Sequence, residues 1–361
     1  MIMHILFLST ICLSYFLIDL TTQDKKQARK RETIVIGLLL FLFAALRAPT
    51  VGTDIKSYFE DFKTDASLGI SGILNAESSY TQSRDPIFHC FLYVLSLISD
   101  NPQIMLIVIG AIVAVGYSYF VYHSKANVLL MFSLFITLRM YSFTLSGLRQ
   151  AMAMGFTFIA LAFLLQKKNI PYLLFTLLAG LFHSSAWIFF IALPLQKIKK
   201  HGTICFLMII FAIVDIIFNH QIVGFFTTSL FGDRFSGYLE TAQGTGFEGT
   251  TTFYLYVLIY LAFIYFYLNS TKELRQDSST ILKIASAGIM FSIIGQSFPN
   301  MFRVSYYFIV MLFPTLDIII GRIFNKRSYK AAIFLVVGVL MVQYLLLGTS
   351  AGTETYIFFW Q

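Results

Sequence analysis

Long apolar runs separated by short polar clusters organise this chain. A helix needs about 20 apolar residues to cross ~30 Å of hydrocarbon. Runs near that length or shorter occupy 2–20, 33–46, 86–99, 103–123, 128–145, 148–165, 171–182, 185–196, 203–219, 253–268, 284–299, 304–320 and 331–347. All are predicted helical, because lipid offers no partner to an unpaired backbone amide. The pattern predicts an all-α, polytopic integral membrane protein of 11–13 transmembrane or half-membrane helices, read as a single transmembrane domain over 1–361. Its longest polar stretches fall at about 47–85 and 220–252. Within the first, Ile55, Tyr58, Phe59 and Phe62 recur at helical spacing, which predicts an amphipathic helix lying on the membrane interface with its aromatics at headgroup level.

Basic residues set the orientation. Residues 21–32 carry five Lys/Arg, 197–200 three, 269–283 three and 321–330 four, which places these loops in the cytoplasm and both long polar stretches outside. The basic cluster follows the first apolar run instead of preceding it, and no A-x-A cleavage site is present, so an uncleaved first span is expected. If every segment crossed, Lys167 and Lys168 would be external and the later loops would invert. Residues 86–99 give only about 21 Å of helix, so making them re-entrant or half-buried restores the pattern. Merging 171–196 into one long crossing is the alternative.

Composition agrees. At 57 % hydrophobic and 12 % charged residues, the chain has too little polar surface for a water-soluble fold. The net charge of +8 sits in short loop clusters and not on one folded surface, which argues against nucleic acid. Cys12, Cys90 and Cys205 lie singly in apolar runs, with neither disulfide nor zinc spacing.

The informative residues are ionisable groups at span ends, where charge is costly. Arg47 precedes V-G-T-D (51–54) and Tyr58, although Asp54 is equally suited to capping a helix. Arg149-Gln150 heads an apolar run, with Arg139 upstream and the small residues Gly147, Ala151, Ala153 and Gly155 allowing close packing. A snorkelling interface arginine is the plainer reading. His183-Ser184-Ser185 forms the tip of a tight external hairpin. Such a histidine is suited either to packing or to proton transfer near neutral pH. Asn300, Arg303, Tyr306 and Tyr307 enter a later span, with Arg303 and Tyr307 four apart on one helix face. Asp233 and Arg234 read as a solvated loop pair.

Several guanidiniums on one face suit an oxyanion such as a diphosphate, and a carboxylate or imidazole beside them can take a proton from a hydroxyl. No D-x-D, metal-spaced cluster or phosphate loop occurs, so neither metal nor cofactor is expected.

Arg47…Val51-Gly52-Thr53-Asp54…Tyr58, Leu148-Arg149-Gln150-x-x-Ala153, Phe182-His183-x-Ser185-Ala186 and Arg303 with Tyr306, in that order over about 45–310, resemble the EpsG-type, Wzy-like family of bacterial polysaccharide polymerases. The resemblance implies polymerisation of undecaprenyl-diphosphate-linked oligosaccharide repeat units at the outer face of the cytoplasmic membrane, with a chain-length regulator and a flippase as partners. It implies catalytic roles for His183, Asp54 and Arg149, and substrate binding by Arg47, Arg303, Tyr58, Gln150 and Tyr307. Inverting transfer is the mechanism expected. Two rivals stand. A transporter or flippase of lipid-linked oligosaccharide explains intramembrane charge, but lacks an internal repeat here. A membrane O-acyltransferase would need an acyl-donor entry from the cytoplasm.

Overall fold

The computed structural model describes residues 2–75, 85–218, 221, 250–296, 299–347, 352–353 and 355–361. Of the described residues 82 % are helical, and no strand forms among them. Most of loop 220–252, including Asp233 and Arg234, lies outside the described residues. Among the described residues six helical runs are long and apolar enough to cross a membrane: Ile2–Thr21, Gln103–Ser124, Leu148–Leu165, Thr251–Leu268, Phe302–Ile323 and Tyr329–Leu347. Shorter apolar helices supplement them. The chain divides into two compact units, one of Met1–Trp187 with Lys326–Gln361, the other of Ile188–Asn325.

In the first unit, α1 (Ile2–Thr21) and α2 (Lys25–Ala45) are joined by a turn whose Asp24 caps α2, accepting from the Lys26 N–H at 2.8 Å. Next come α3 (Ile55–Asn75), α4 (Pro86–Ser96), α5 (Gln103–Ser124), α6 (Val128–Thr137), α7 (Met140–Thr144), α8 (Leu148–Leu165), α9 (Asn169–Phe182) and, after the second unit, α16 (Tyr329–Leu347). The basic turn gathers at one end: Lys330 pairs with Asp19 at 2.7 Å, and the Arg29 guanidinium donates to the carbonyls of Val121, Tyr122 and Ala126. At the opposite end, α2 runs into the loop carrying Arg47 and V-G-T-D. The final residues cover that loop. Ala48 N–H donates to Ile357 O at 2.8 Å, Phe359 N–H to Leu46 O at 2.9 Å, and Gly52 N–H to Gly352 O at 3.0 Å.

Small residues bring α5 and α8 together. A Cβ on Gly116 would stand 2.1 Å from Gly155 O, and one on Gly155 would meet Ile112 O at 2.9 Å, so the two backbones touch only as glycines. α6 is buried along its whole length, as expected of a helix apolar on every side.

Two expectations change. The run 128–145 is not one helix: Arg139 takes a left-handed φ of 64°, which separates α6 from α7. The helix expected on the interface is longer, running from Ile55 to Asn75 across a kink at Gly69 (φ 67°), and it packs on α4. Ile55, Tyr58 and Phe62 are buried, with Tyr58 edge-on to Phe88 at 5.8 Å, so its aromatic face seals protein and not headgroups. The heads of α4 and α5 lie at the same end, which fits the re-entrant or half-buried reading of 86–99. Asp85 at the head of α4 contacts Arg149 at the loop end of α8, and Gln103 at the head of α5 donates to the Ala45 and Arg47 carbonyls at that same end.

A 3-10 turn from Ser184–Ile191 begins in the first unit and leads to α10 (Ala192–Lys197) of the second. Then follow α11 (His201–Ile217), α12 (Thr250–Leu268), α13 (Lys272–Ile294), α14 (Pro299–Ile309), the 3-10 turn Val310–Leu312 and α15 (Phe313–Ile323). Gly288 and Gly295 admit the α14 backbone closely, since a Cβ at either would lie 2.6 Å from Ile309 N or Phe302 N.

Candidate functional site

At the loop end of the first unit, three elements converge. α8 starts after Gly147 and lifts Arg149 in its first turn. α9 ends at Phe182, and His183 turns into extended backbone (φ −152°, ψ 116°) while its N–H still donates to Ala179 O at 3.0 Å. The chain can reverse there because Gly180 lacks a side chain: a Cβ would lie 2.5 Å from the Trp187 indole. The third element is the head of α4, where Asp85 precedes Pro86, a residue pre-set for the first helical turn.

Asp85 joins the other two. One carboxylate oxygen, Oδ2, accepts from His183 Nδ1 at 2.8 Å and lies 3.7 Å from the Arg149 guanidinium. The other, Oδ1, accepts from the Ser184 N–H at 3.0 Å. These side chains are 12 % (Asp85), 23 % (His183) and 26 % (Arg149) exposed, so each remains reachable while partly shielded from water. Burial alone would raise the Asp85 pKa; the His183 hydrogen bond and charge, the Ser184 N–H and Arg149 outweigh it and hold the carboxyl below its ordinary value. The acid is therefore an anion at neutral pH. A carboxylate on Nδ1 favours the tautomer with its proton there, which leaves Nε2 a lone pair to accept a proton. Tyr58 and Asp61 on α3 also act on the Arg149 guanidinium.

Asp85 escaped the reading of the sequence. Its only local signal is D-P at the head of an apolar run, which reads as a helix start. A second dyad joins α3 to α4: His89 Nδ1 contacts Asp65 Oδ2 at 2.8 Å, with both side chains buried. Neither Asp65 nor His89 stood out in the sequence.

Other expected residues sit differently. Asp54 is exposed; its backbone N–H donates to the Ser146 hydroxyl oxygen at 3.4 Å, and its carbonyl accepts from Tyr58 N–H at 3.2 Å. Among the described residues its carboxylate makes no ion pair, so it stands at the head of α3 and not in the Asp85 cluster. Thr53 Oγ1 and Ser146 Oγ meet at 2.7 Å, tying V-G-T-D to the turn before α8. Gly52 permits this approach: with φ 110°, any Cβ there would lie 2.6 Å from Leu145 O.

Arg47 is 1 % exposed, and its guanidinium donates to the Ala44 carbonyl and to Leu145 O at 3.0 Å. A side chain spent on backbone carbonyls and sealed from solvent is built to hold the loop, which moves Arg47 from substrate contact to positioning. Burial lowers its pKa to about 10, so it stays cationic at neutral pH. Gln150 is buried in the first turn of α8.

In the second unit, Arg303 is exposed on α14 with its guanidinium 5.9 Å from the Phe302 ring, whereas Tyr307 is wholly buried. The two do not share one exposed face: one turn along α14 the surface gives way to core, so Tyr307 packs and does not line a site. The Asn300 side chain lies outside the described residues. Among the described residues no group of three or more His, Cys, Asp or Glu is placed to hold a metal ion.

A model of the EpsG family matches residues 33–360. No curated protein matches the chain, and no solved structure does.

Proposed function

Because the chain belongs to the EpsG family, whose membership suggests a role of the polysaccharide-polymerase type, we propose that it polymerises undecaprenyl-diphosphate-linked oligosaccharide repeat units by glycosyl transfer at the outer face of the cytoplasmic membrane. The observation that carries this reading is the Asp85–His183–Arg149 constellation, a base, its orienting carboxylate and a cation within one side chain of each other.

The step needs little else. His183 Nε2 accepts the proton of the non-reducing-end hydroxyl on one lipid-linked unit, and that oxygen attacks the anomeric carbon of the growing chain. As the new C–O bond forms, the bond from anomeric carbon to diphosphate breaks, and undecaprenyl diphosphate leaves with the electron pair. Arg149 faces the charge that develops on the leaving oxygens, where a preorganised donor contributes most. Attack opposite the leaving group inverts the anomeric centre. Asp85 keeps the imidazole in the accepting tautomer and balances the imidazolium that forms. Substrate binding by Gln150 and Tyr58 rests on the motif order, with Tyr58 also acting on the Arg149 guanidinium. That Arg303 binds diphosphate as well rests on the motif order, together with its exposed guanidinium. The absence of a metal requirement is likewise a proposal.

The test is purified protein in detergent with lipid-linked repeat units. A ladder of longer glycans in a single phase supports polymerisation, since a transporter acts only between two compartments. No ladder from active-folded protein, with vectorial movement of the same lipid in proteoliposomes, would overturn it.

A further inference from the structure

A cavity of about 960 Å³ opens between α2 and α5 at the basic end of the first unit, away from the site above. From Lys26 to Ala45 along α2 is roughly 30 Å at 1.5 Å per residue, so the two places are independent. The walls of the cavity are apolar: Leu38 and Phe41 on α2 face Ala111, Ala114 and Val115 on α5. Leu38 and Val115 are exposed, 53 % and 63 %, although they belong to helices packed together. Within the furrow Gly37 lies close against Ser118, so α2 and α5 approach each other there.

Its mouth is cationic. Lys26, Lys30 and His123 line it, the two lysines exposed. Asp24 is the one acid at the mouth, and it caps α2 through the Lys26 N–H. The N-terminus of a 21-residue helix adds its own positive end to this rim. An apolar furrow running down from a basic rim is complementary to a molecule with an anionic head and a hydrocarbon tail. The same end carries Arg29, the Asp19–Lys330 pair and the 21–32 loop that the positive-inside pattern assigns to the cytoplasm, whose leaflet is rich in anionic lipid.

We propose that this furrow binds an anionic phospholipid of the cytoplasmic leaflet, its phosphate on Lys26, Lys30 and His123 and one acyl chain between Leu38, Phe41 and Val115. Free phosphate shares the head chemistry but not the tail, and the variants separate the two.

The test is native mass spectrometry of the full chain released from micelles doped with equal phosphatidylglycerol and phosphatidylcholine. Wild type is expected to retain phosphatidylglycerol preferentially, and Lys26→Ala with Lys30→Ala to lose that preference by on the order of tenfold. Val115→Trp, which fills the furrow and leaves the rim intact, is expected to release the lipid while inorganic phosphate still binds. Equal retention of both lipids by wild type overturns the proposal. So does lipid retention unchanged in Val115→Trp, which would leave an anion site only.

Discussion

Asp85 and His183 stand 98 residues apart in sequence and meet at 2.8 Å, with the Ser184 N–H on the second carboxylate oxygen. This bidentate hold fixes both the ring and the turn that carries it. Asp85→Asn preserves the shape but replaces the acceptor by an amide that tolerates either histidine tautomer. Polymer formation is expected to fall by about 10²–10⁴-fold, with normal protein levels and the single lipid-linked unit accumulating. Glycan ladders on gels check this; wild-type chain length in the variant removes Asp85 from the reaction.

The depressed Asp85 pKa carries a stability signature as well. A carboxyl whose folded pKa lies below its unfolded one stabilises the fold fully above the unfolded value, near ~3.9, and loses that contribution as pH falls through the lower folded value. Thermal unfolding of detergent-purified protein followed from pH 7 down to about 3 is expected to show a steeper acid loss in wild type than in Asp85→Asn. Parallel curves would mean the carboxylate contributes nothing to the fold.

Arg149 separates charge from geometry. Arg149→Ala is expected to abolish high-molecular-weight polymer, a loss of about 10²–10³-fold in rate. Arg149→Lys retains a cation but not the planar fork, so partial activity is expected. Equal activity of both variants with wild type, measured on purified lipid-linked substrate, sinks the role of this residue in stabilising the leaving group.

The helical membrane body was legible because lipid forces every long apolar run into a helix, whatever its neighbours do. Short-range chemistry was legible too: the small residues around Arg149 do mark a close crossing, Gly155 against Ile112. What stayed hidden depends on contacts between distant residues. Asp85 looks like an ordinary helix cap until α8 and α9 bring Arg149 and His183 to it. The break at Arg139 is invisible because a left-handed residue other than glycine carries no sequence mark. Tyr307 shares helical spacing with Arg303, yet spacing does not say which side of a helix the core occupies.

Gly155 gives a test of how that crossing supports the site. Its Cβ would lie 2.8 Å from Ile112 Cγ2 and 2.9 Å from Ile112 O, and backbone cannot yield as a side-chain tip can. Gly155→Val is expected to destabilise by about 1–3 kcal/mol through overpacking. Because α8 also carries Arg149, activity is expected to fall with stability, whereas Gly202→Ala, with nothing within 4 Å, changes neither. Unfolding midpoints and polymer yield measured together decide this.

Arg47 gives the sharpest division between binding and positioning. Its guanidinium is the donor for the Ala44 and Leu145 carbonyls, so it links the end of α2 to the turn before α8. That same turn holds Thr53 through Ser146, and the Arg47 backbone pairs with Phe358 of the final residues. Arg47→Met fits a similar volume but leaves two buried carbonyls without their donor, at about 1–3 kcal/mol each. A substrate-contacting arginine lost from an open pocket would instead lower activity at unchanged stability. The expectation here is therefore a lower unfolding midpoint, and limited proteolysis that opens the 46–54 loop, alongside reduced polymer. Arg47→Lys is expected to recover only part of both, since one ammonium on a flexible stem does not reproduce a fork reaching two carbonyls. A variant that unfolds like wild type yet makes no polymer would return Arg47 to direct contact with the diphosphate.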